Sequence, residues 1–182
     1  MNLNGEISNI VNIELPECED LIFDFEIETV ISFEEGIKAH NNWEYKKAWE
    51  CFKYHAENGN PYAKYWKGYY LWEGKYVEKN IEEAAKLFKE TADKGLPDAQ
   101  LRYALTLKNK DIKREEFIKY LIMSADGRNS TAQFNIGNAY FNKRLNLDDE
   151  KKGIHYLKLA ALQNQPNAIE LLKAKKIDFI KP

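Results

Sequence analysis

The chain has 182 residues, of which 44% are hydrophobic and 31% are charged, and it contains only two cysteines. It is too apolar for a disordered chain and too poor in glycine and proline for a low-complexity one, so one globular domain is expected. No apolar stretch reaches the roughly 18 residues of a membrane helix, and the first lysine is Lys38, too late for a signal peptide. We therefore expect a cytoplasmic protein with reduced thiols and no membrane partner.

The net charge of −2 conceals two oppositely charged segments. Residues 1–30 contain eight acidic side chains and no Lys or Arg, whereas the remaining residues contain 27 basic and 21 acidic side chains. Phe23, Phe25 and Ile27 alternate with acidic residues at the period of two that an extended strand has. We predict an acidic, partly extended N-terminal arm over 1–30, in which residues 21–28 present one apolar and one acidic face.

The part of the chain beyond residue 31 repeats itself. Four alanines recur at intervals of 36, 33 and 36 residues, and each lies seven residues after another alanine. The two columns are Ala63, Ala99, Ala132, Ala168 and Ala56, Ala92, Ala125, Ala161. Residues typical of a turn, such as Gly59 with Pro61 and Gly95 with Pro97, separate the two alanines of a pair. A further column contains only small residues (Gly36, Gly68, Ala104, Gly137), which predicts that two helices approach closely there.

Each repeat is predicted to contain two helices. The second carries an apolar stripe with helical spacing, for example Ala48, Cys51, Phe52 and Ala56. The predicted pairs are 31–41 with 44–57, 62–73 with 81–94, 98–108 with 112–125, and 131–142 with 149–163, followed by a lone helix over 167–175. Candidate N-caps of the second helices are Asn42, Asn80, Asp111 and Asp149. Because no helix can bury its stripe alone, we predict an all-α solenoid of about four helix-turn-helix repeats over 31–182, capped by the last helix.

The segment from Ala63 to Ala99 resembles a repeat of the Sel-one-like repeat (SLR) family, which belongs to the tetratricopeptide-like superfamily. The resemblance is carried by Ala63, Gly68, Gly74, Val77, Asn80, Ala84, Phe88, Ala92 and Gly95, and in the fourth unit by Ala132, Ile136, Gly137, Tyr140, Asp149, Ala160, Ala161 and Ala168. The fourth unit lacks the loop glycines of the family around Lys143 and Leu145, and the first and third units have shorter loops between their helices. The resemblance implies a scaffold or adaptor, like the SLR regions of fungal proteins.

The sequence contains no phosphate-binding glycine-rich loop and none of the short motifs of hydrolases, metalloproteases or kinases. Cys51 and His55 are four residues apart on one helix face, where a thiol and an imidazole can form a nucleophile with its base or half a metal site. Other repeats place Leu87 and Thr91 at these positions, which favours a packing role. We therefore predict no enzyme activity, no cofactor and no metal.

If the repeats stack as the resemblance implies, their first helices line the concave side. The residues three before, one after and four after the Gly68 position then form a groove for an extended or helical peptide. In the last three repeats these residues are Tyr65, Tyr69, Trp72, Leu101, Leu105, Lys108, Phe134, Asn138 and Phe141, and in the first they are Phe33, Ile37 and His40. The column with Phe33 and Tyr65 can instead serve packing between repeats. Tyr69, Trp72 and Phe141 are better candidates for binding, because the residue types in their columns differ from one repeat to the next.

Two functions are compatible with the sequence. The first is a non-catalytic protein-protein interaction adaptor or scaffold that binds a protein or peptide in this groove. The second is a regulatory or self-assembly module of a signalling protein, a monomer or weak homo-oligomer, in which the acidic arm caps the solenoid or masks its partner site. Basic pairs such as Lys113-Arg114 and Lys151-Lys152 are interspersed with acids, which favours solvated surface over a nucleic-acid interface.

Overall fold

The structure, a computed structural model, describes residues 31–108 and 113–179. These ranges contain nine α-helices and no strand: α1 (Phe33–Asn41), α2 (Tyr45–Glu57), α3 (Pro61–Glu73), α4 (Ile81–Asp93), α5 (Pro97–Leu107), α6 (Arg114–Asp126), α7 (Ser130–Phe141), α8 (Glu150–Leu162) and α9 (Pro166–Ala174). Each helix packs against the next one along the chain. The predicted all-α solenoid of four helix pairs and a final helix is therefore confirmed.

Two predictions lie outside the described residues. The acidic arm over 1–30, with its alternating segment 21–28, is one of them, and the candidate N-cap Asp111 is the other.

Side chains at the helix starts supply acceptors for backbone N–H groups that have no partner inside the helix. Asn80 accepts from the Glu83 amide at 3.0 Å and Asp149 accepts from the Lys152 amide at 3.0 Å, as predicted. The prediction for Asn42 is wrong, because this residue ends α1, and α2 follows Glu44 without a side-chain cap. Trp43 and Glu44 separate Asn42 from the start of α2, so Asn42 does not occupy the cap position of that helix.

Small side chains set the distance between helices. Ala63, Ala99, Ala132 and Ala168 have no exposed surface, and Ala92 is equally buried. A Cβ atom at Gly68 would lie 3.0 Å from the ring of Phe88, which is closer than nearly all real contacts. The close approach that the sequence predicts is therefore present, and it lets one large side chain per repeat pack against the neighbouring helix.

The loop between α7 and α8 keeps a left-handed backbone without glycine. Gly74 has φ of 72° in the second repeat, whereas Lys143 and Leu145 have φ of 52° and 59° in the fourth. A non-glycine residue in this conformation costs about 1–2 kcal/mol. Leu145 packs against the main core cluster, and this burial offsets part of the cost.

One column of the second helices consists of Cys51, Leu87, Tyr120 and Tyr156, and its two tyrosines contact the second helix of the preceding repeat. Tyr120 of α6 donates a hydrogen bond to Asp93 of α4, and Tyr156 of α8 donates to Asp126 of α6. This column therefore faces the preceding repeat. Cys51 stands at the start of the column, on the helix pair that no described repeat precedes.

Candidate partner-binding surface

The predicted groove residues differ in how much of their surface they expose. Leu101 is 8% exposed and belongs to the core, and Lys108 is exposed. The remaining seven, Tyr65, Tyr69, Trp72, Leu105, Phe134, Asn138 and Phe141, are half-buried. Half-buried aromatic side chains suit a surface that both packs and binds, whereas the burial of Leu101 leaves little of it for a partner.

The column with Phe33 and Tyr65 makes extensive contacts inside the solenoid. The ring of Phe33 lies 5.9 Å from that of Phe52, and the ring of Tyr65 lies 5.9 Å from that of Phe88. Phe134 packs against the cluster formed by α8 and α9. These contacts favour the packing alternative for this column. Trp72 also contacts Phe88, with ring centroids 6.2 Å apart.

Two cations lie close to the ring of Tyr69. The guanidinium of Arg102 lies 5.1 Å from the centre of its ring, and the Lys75 ammonium lies 5.3 Å from it. Arg102 belongs to α5, so this contact joins the second and third repeats, and the residue also forms an ion pair with Glu73 at 3.6 Å. The result is a half-buried aromatic ring flanked by two positive charges, with one carboxylate beside them.

A cluster of rings extends this surface toward the first repeat. His40 Nδ1 lies 2.9 Å from the hydroxyl of Tyr70, and its ring centre lies 4.6 Å from that of Trp66. Burial, together with the nearby Lys75, lowers the pKa of His40, so the imidazole is neutral at physiological pH. Burial also raises the pKa of Tyr70. The surface around Tyr69 is therefore aromatic, with its positive charge on Lys75 and Arg102.

The sequence-based prediction missed Trp66 and Arg102. Both occupy the column two residues before the Gly68 position, which the predicted groove skipped. A signal for them exists in the sequence, because positions two before, one after and five after the Gly68 position follow helical spacing and form one continuous stripe. In α3 this stripe is Trp66, Tyr69 and Glu73.

Phe141 is far along the chain from this group and contacts different residues. Phe134 and Phe141 both pack beside the core cluster of α8 and α9, and the Lys175 ammonium lies 5.8 Å from the Phe141 ring. The predicted groove residues thus include two aromatic–cation groups, Tyr69 with Arg102 and Phe141 with Lys175. Each group combines an aromatic ring with a cation from the next first helix or its end.

Cys51 and His55 both contact the chain just before α1. The Cys51 thiol lies 3.4 Å from the carbonyl oxygen of Ser32, and His55 Nε2 lies 2.9 Å from that of Ile31. Burial raises the pKa of the Cys51 thiol, which keeps it protonated and makes it a poor nucleophile. These contacts are those of packing residues that hold the entry to α1.

Within residues 31–108 and 113–179, no group of three or more His, Cys, Asp or Glu side chains is arranged to hold a metal ion. None of the helices in the same ranges has the length and apolarity needed to cross a bilayer.

The paired helices around buried alanines form an α-solenoid similar to those of SLR proteins. It is similar to the structure of a Sel1 repeat protein from Oxalobacter formigenes, with a TM-score of 0.69 and 25% identity over 82% of this chain and 64% of that chain. It is also similar to a protective antigen present in uropathogenic Escherichia coli strains that displays an SLR fold, with a TM-score of 0.62 and 20% identity over 81% of this chain and 37% of that chain.

These comparisons concern fold rather than activity. This chain spans less than two thirds of the length of either neighbour. No protein-family model matches the chain, and no curated protein matches it. The structural neighbours support the SLR resemblance found in the sequence, but neither supports the expected likeness to fungal proteins.

Proposed function

We propose that this protein is a non-catalytic adaptor that binds a peptide segment of a partner protein on the surface around Tyr69. The observation that carries the proposal is the placement of Tyr69 of α3 beside two cations, Arg102 of α5 in the next repeat and Lys75 of the loop after α3. Aromatic and arginine side chains are enriched at the centres of protein interfaces. The SLR-type fold, a helical-repeat solenoid, is consistent with such a role.

The chemistry of this surface favours a peptide that carries an acidic side chain next to an apolar one. An apolar side chain can pack on Tyr69 and Trp66, and a carboxylate can pair with Arg102 or Lys75. Glu73 pairs with Arg102 in the free protein, so a peptide carboxylate competes with it for the same guanidinium. Glu73 is exposed, so water solvates its carboxylate once a peptide carboxylate has displaced it.

Selection from a random peptide library on the full-length protein tests this proposal. Arg102→Glu is expected to weaken the selected peptides at least about tenfold, because it replaces attraction with repulsion at the centre of the surface. Arg144→Glu makes the same charge change at an exposed loop residue and is the matched control. Failure to enrich any peptide, or equal binding to both variants, would contradict the proposal.

Self-assembly is a second candidate function, and the C-terminal end of the solenoid favours it. A groove of about 510 Å³ there is lined by Leu162, Ile169, Ile177 and Phe179, among other residues, and Leu162 is 37% exposed. Light scattering over a concentration series tests this alternative. A mass that rises with concentration, and that Leu162→Glu returns to the monomer value, supports assembly through this end. A constant monomer mass excludes it.

A further inference from the structure

A second groove lies at the opposite end of the solenoid, along α2. Its volume is about 740 Å³, and its described lining runs the whole length of that helix and includes Ile31. Tyr45, Cys51 and Tyr54 contribute apolar surface, and Tyr54 is 45% exposed. The groove therefore leaves one long face of α2 without a helix packed against it among the described residues.

The corresponding faces of later repeats are covered. Tyr120 and Tyr156 occupy the same column as Cys51, and each contacts the second helix of the preceding repeat. At α2 the backbone of Ile31 and Ser32 takes this place, since their carbonyl oxygens meet Cys51 and His55. The chain that leads into α1 thus already lies on the face that a preceding repeat would cover.

We propose that residues 21–28 of this chain dock in the α2 groove and cap the N-terminal end of the solenoid. The segment lies immediately before Ile31 in the chain, so a tether of two residues joins it to the lining of the groove. Eight extended residues span about 26 Å at roughly 3.3 Å per residue. This is enough to follow the whole of α2, whose 13 residues span about 20 Å.

The side chains of the segment fit this groove. Phe23, Phe25 and Ile27 lie on one face of an extended chain and suit the apolar lining at Tyr45 and Tyr54. The alternating acidic residues then face the rim of the groove.

The rim contains three lysines and three glutamates, so its charge alone is balanced. Two of the glutamates have partners, because Glu44 pairs with Lys47 at 3.8 Å and Glu57 pairs with Lys67 at 3.9 Å. Lys46 and Lys53 have no ion pair with a described residue, and they are the cations that Asp24, Glu26 and Glu28 can meet. Apolar contact therefore drives the docking and charge sets its orientation.

Tethering favours this segment over a second copy of the chain. A short flexible tether gives an effective concentration of roughly millimolar, far above that of a separate molecule in dilute solution. The groove also begins at the residue where the tether ends, so the segment reaches it without crossing another part of the solenoid.

The reactivity of Cys51 reports on the docking. The full-length chain with Cys18→Ser retains Cys51 as its single thiol, and the rate of maleimide labelling measures how often the groove opens. The test variant carries Phe23→Ser, Phe25→Ser and Ile27→Ser. The matched control carries Ile7→Ser, Ile10→Ser and Ile13→Ser, which are three apolar-to-serine changes elsewhere in the arm. We expect about tenfold faster labelling in the test variant and an unchanged rate in the control.

Hydrogen exchange identifies the surface that the segment covers. The test variant is expected to exchange faster in α2, with unchanged rates in α6 and α8. On the groove side, Tyr54→Asp is expected to have the same effect as the test variant, whereas Tyr62→Asp, at a residue 58% exposed on α3, has none. Equal labelling in the test variant and its control overturns the proposal. So does protection that increases with protein concentration, which indicates a second copy, or faster exchange confined to α3, which indicates masking of the Tyr69 surface.

Discussion

The hydroxyl of Tyr156 in α8 donates a 2.7 Å hydrogen bond to Asp126, the last residue of α6. Tyr120 makes the equivalent bond to Asp93 one repeat earlier. The preceding repeat has Leu87 in the tyrosine position, and the last repeat has Leu162 in the position of the acid. Side-chain hydrogen bonds between second helices therefore join the second, third and fourth repeats, whereas the first repeat is joined to the second by the contact of His40 with Tyr70 and by ring contacts such as that of Phe52 with Trp66.

Removal of one tyrosine hydroxyl tests how much these tyrosine–aspartate hydrogen bonds contribute to stability. Tyr156 is 9% exposed, so Tyr156→Phe removes a hydrogen bond to a charged group and keeps the packing of the ring. We expect the free energy of unfolding to fall by about 1–2 kcal/mol, measured by urea denaturation. Tyr76→Phe, at a residue 51% exposed in a loop, is the control and should leave stability unchanged. An equal effect of both changes would mean that the tyrosine–aspartate hydrogen bonds do not stabilise the fold.

Alkaline pH is expected to destabilise the protein through Tyr103. Burial, reinforced by donation to Glu116 at 2.8 Å, raises the pKa of Tyr103 to about 12. In the unfolded chain a tyrosine pKa is about 10. Tyr103 therefore holds its proton more tightly in the folded state. Its contribution to the free energy of unfolding is complete below pH of about 10 and is lost as pH rises toward 12. Tyr103→Phe should flatten the fall of unfolding free energy over this range, and Tyr62→Phe serves as control.

Two buried glutamines at equivalent positions are expected to respond differently to the same substitution. Gln100 and Gln133 each donate to a carbonyl at the end of the preceding helix, at 3.2 and 3.0 Å. The other amide atom of Gln133 accepts from Gln163, whereas that of Gln100 has no partner among the described residues. The residue equivalent to Gln163 in the third repeat is Gly127, which has no side chain to donate to Gln100. A larger residue does not fit there, because a Cβ atom at Gly127 would lie 2.7 Å from the Pro97 ring.

Substitution of Gln100 and of Gln133 by methionine tests this difference. Gln100→Met removes a buried acceptor that has no partner, which offsets the lost hydrogen bond, so stability should change by less than about 0.5 kcal/mol. Gln133→Met breaks two hydrogen bonds and should cost about 1–2 kcal/mol more than Gln100→Met. Denaturant unfolding of both variants measures the difference. A larger loss at Gln100 would show that its free oxygen carries no penalty.

Overpacking of the alanine column is expected to destabilise the solenoid. Ala92 has no exposed surface, so Ala92→Leu has no space for its added carbons and should cost about 1–3 kcal/mol. Ala85→Leu introduces the same side chain into α4 at a half-exposed position and is the matched control. Thermal melting reads out both. Unchanged melting of Ala92→Leu would show that the helices can move apart without loss.

Cys51→Ser and His55→Gln are expected to lower the melting temperature without selective loss of any activity. Both side chains hold the carbonyl oxygens of residues 31 and 32, and neither faces the Tyr69 surface. Peptide binding measured at a temperature where both variants are folded should equal that of the unchanged protein. Loss of an activity at unchanged melting temperature would revive a chemical role for this pair.

The sequence predicted the helices well because one requirement repeats along the chain. Four alanine pairs at nearly constant spacing mark positions where only small side chains fit, and those positions are indeed buried. Helix starts are predictable when a local side chain supplies the cap, as at Asn80 and Asp149. The prediction that Asn42 caps α2 was wrong because the length of the loop, not the type of residue, decides where α2 begins.

The partner-binding surface was less predictable for a physical reason. Helical spacing shows which residues share a face of one helix, but the neighbouring repeat decides which of them are buried. Leu101 followed the groove pattern and lies in the core, whereas Arg102, next to it, reaches across to Tyr69. The sequence alone therefore determined the repeat, its helices and its small-residue columns, all of which follow from local periodicity. Tertiary packing decided the exposure of each side chain and the contact of Tyr69 with Arg102, because both depend on residues one repeat away.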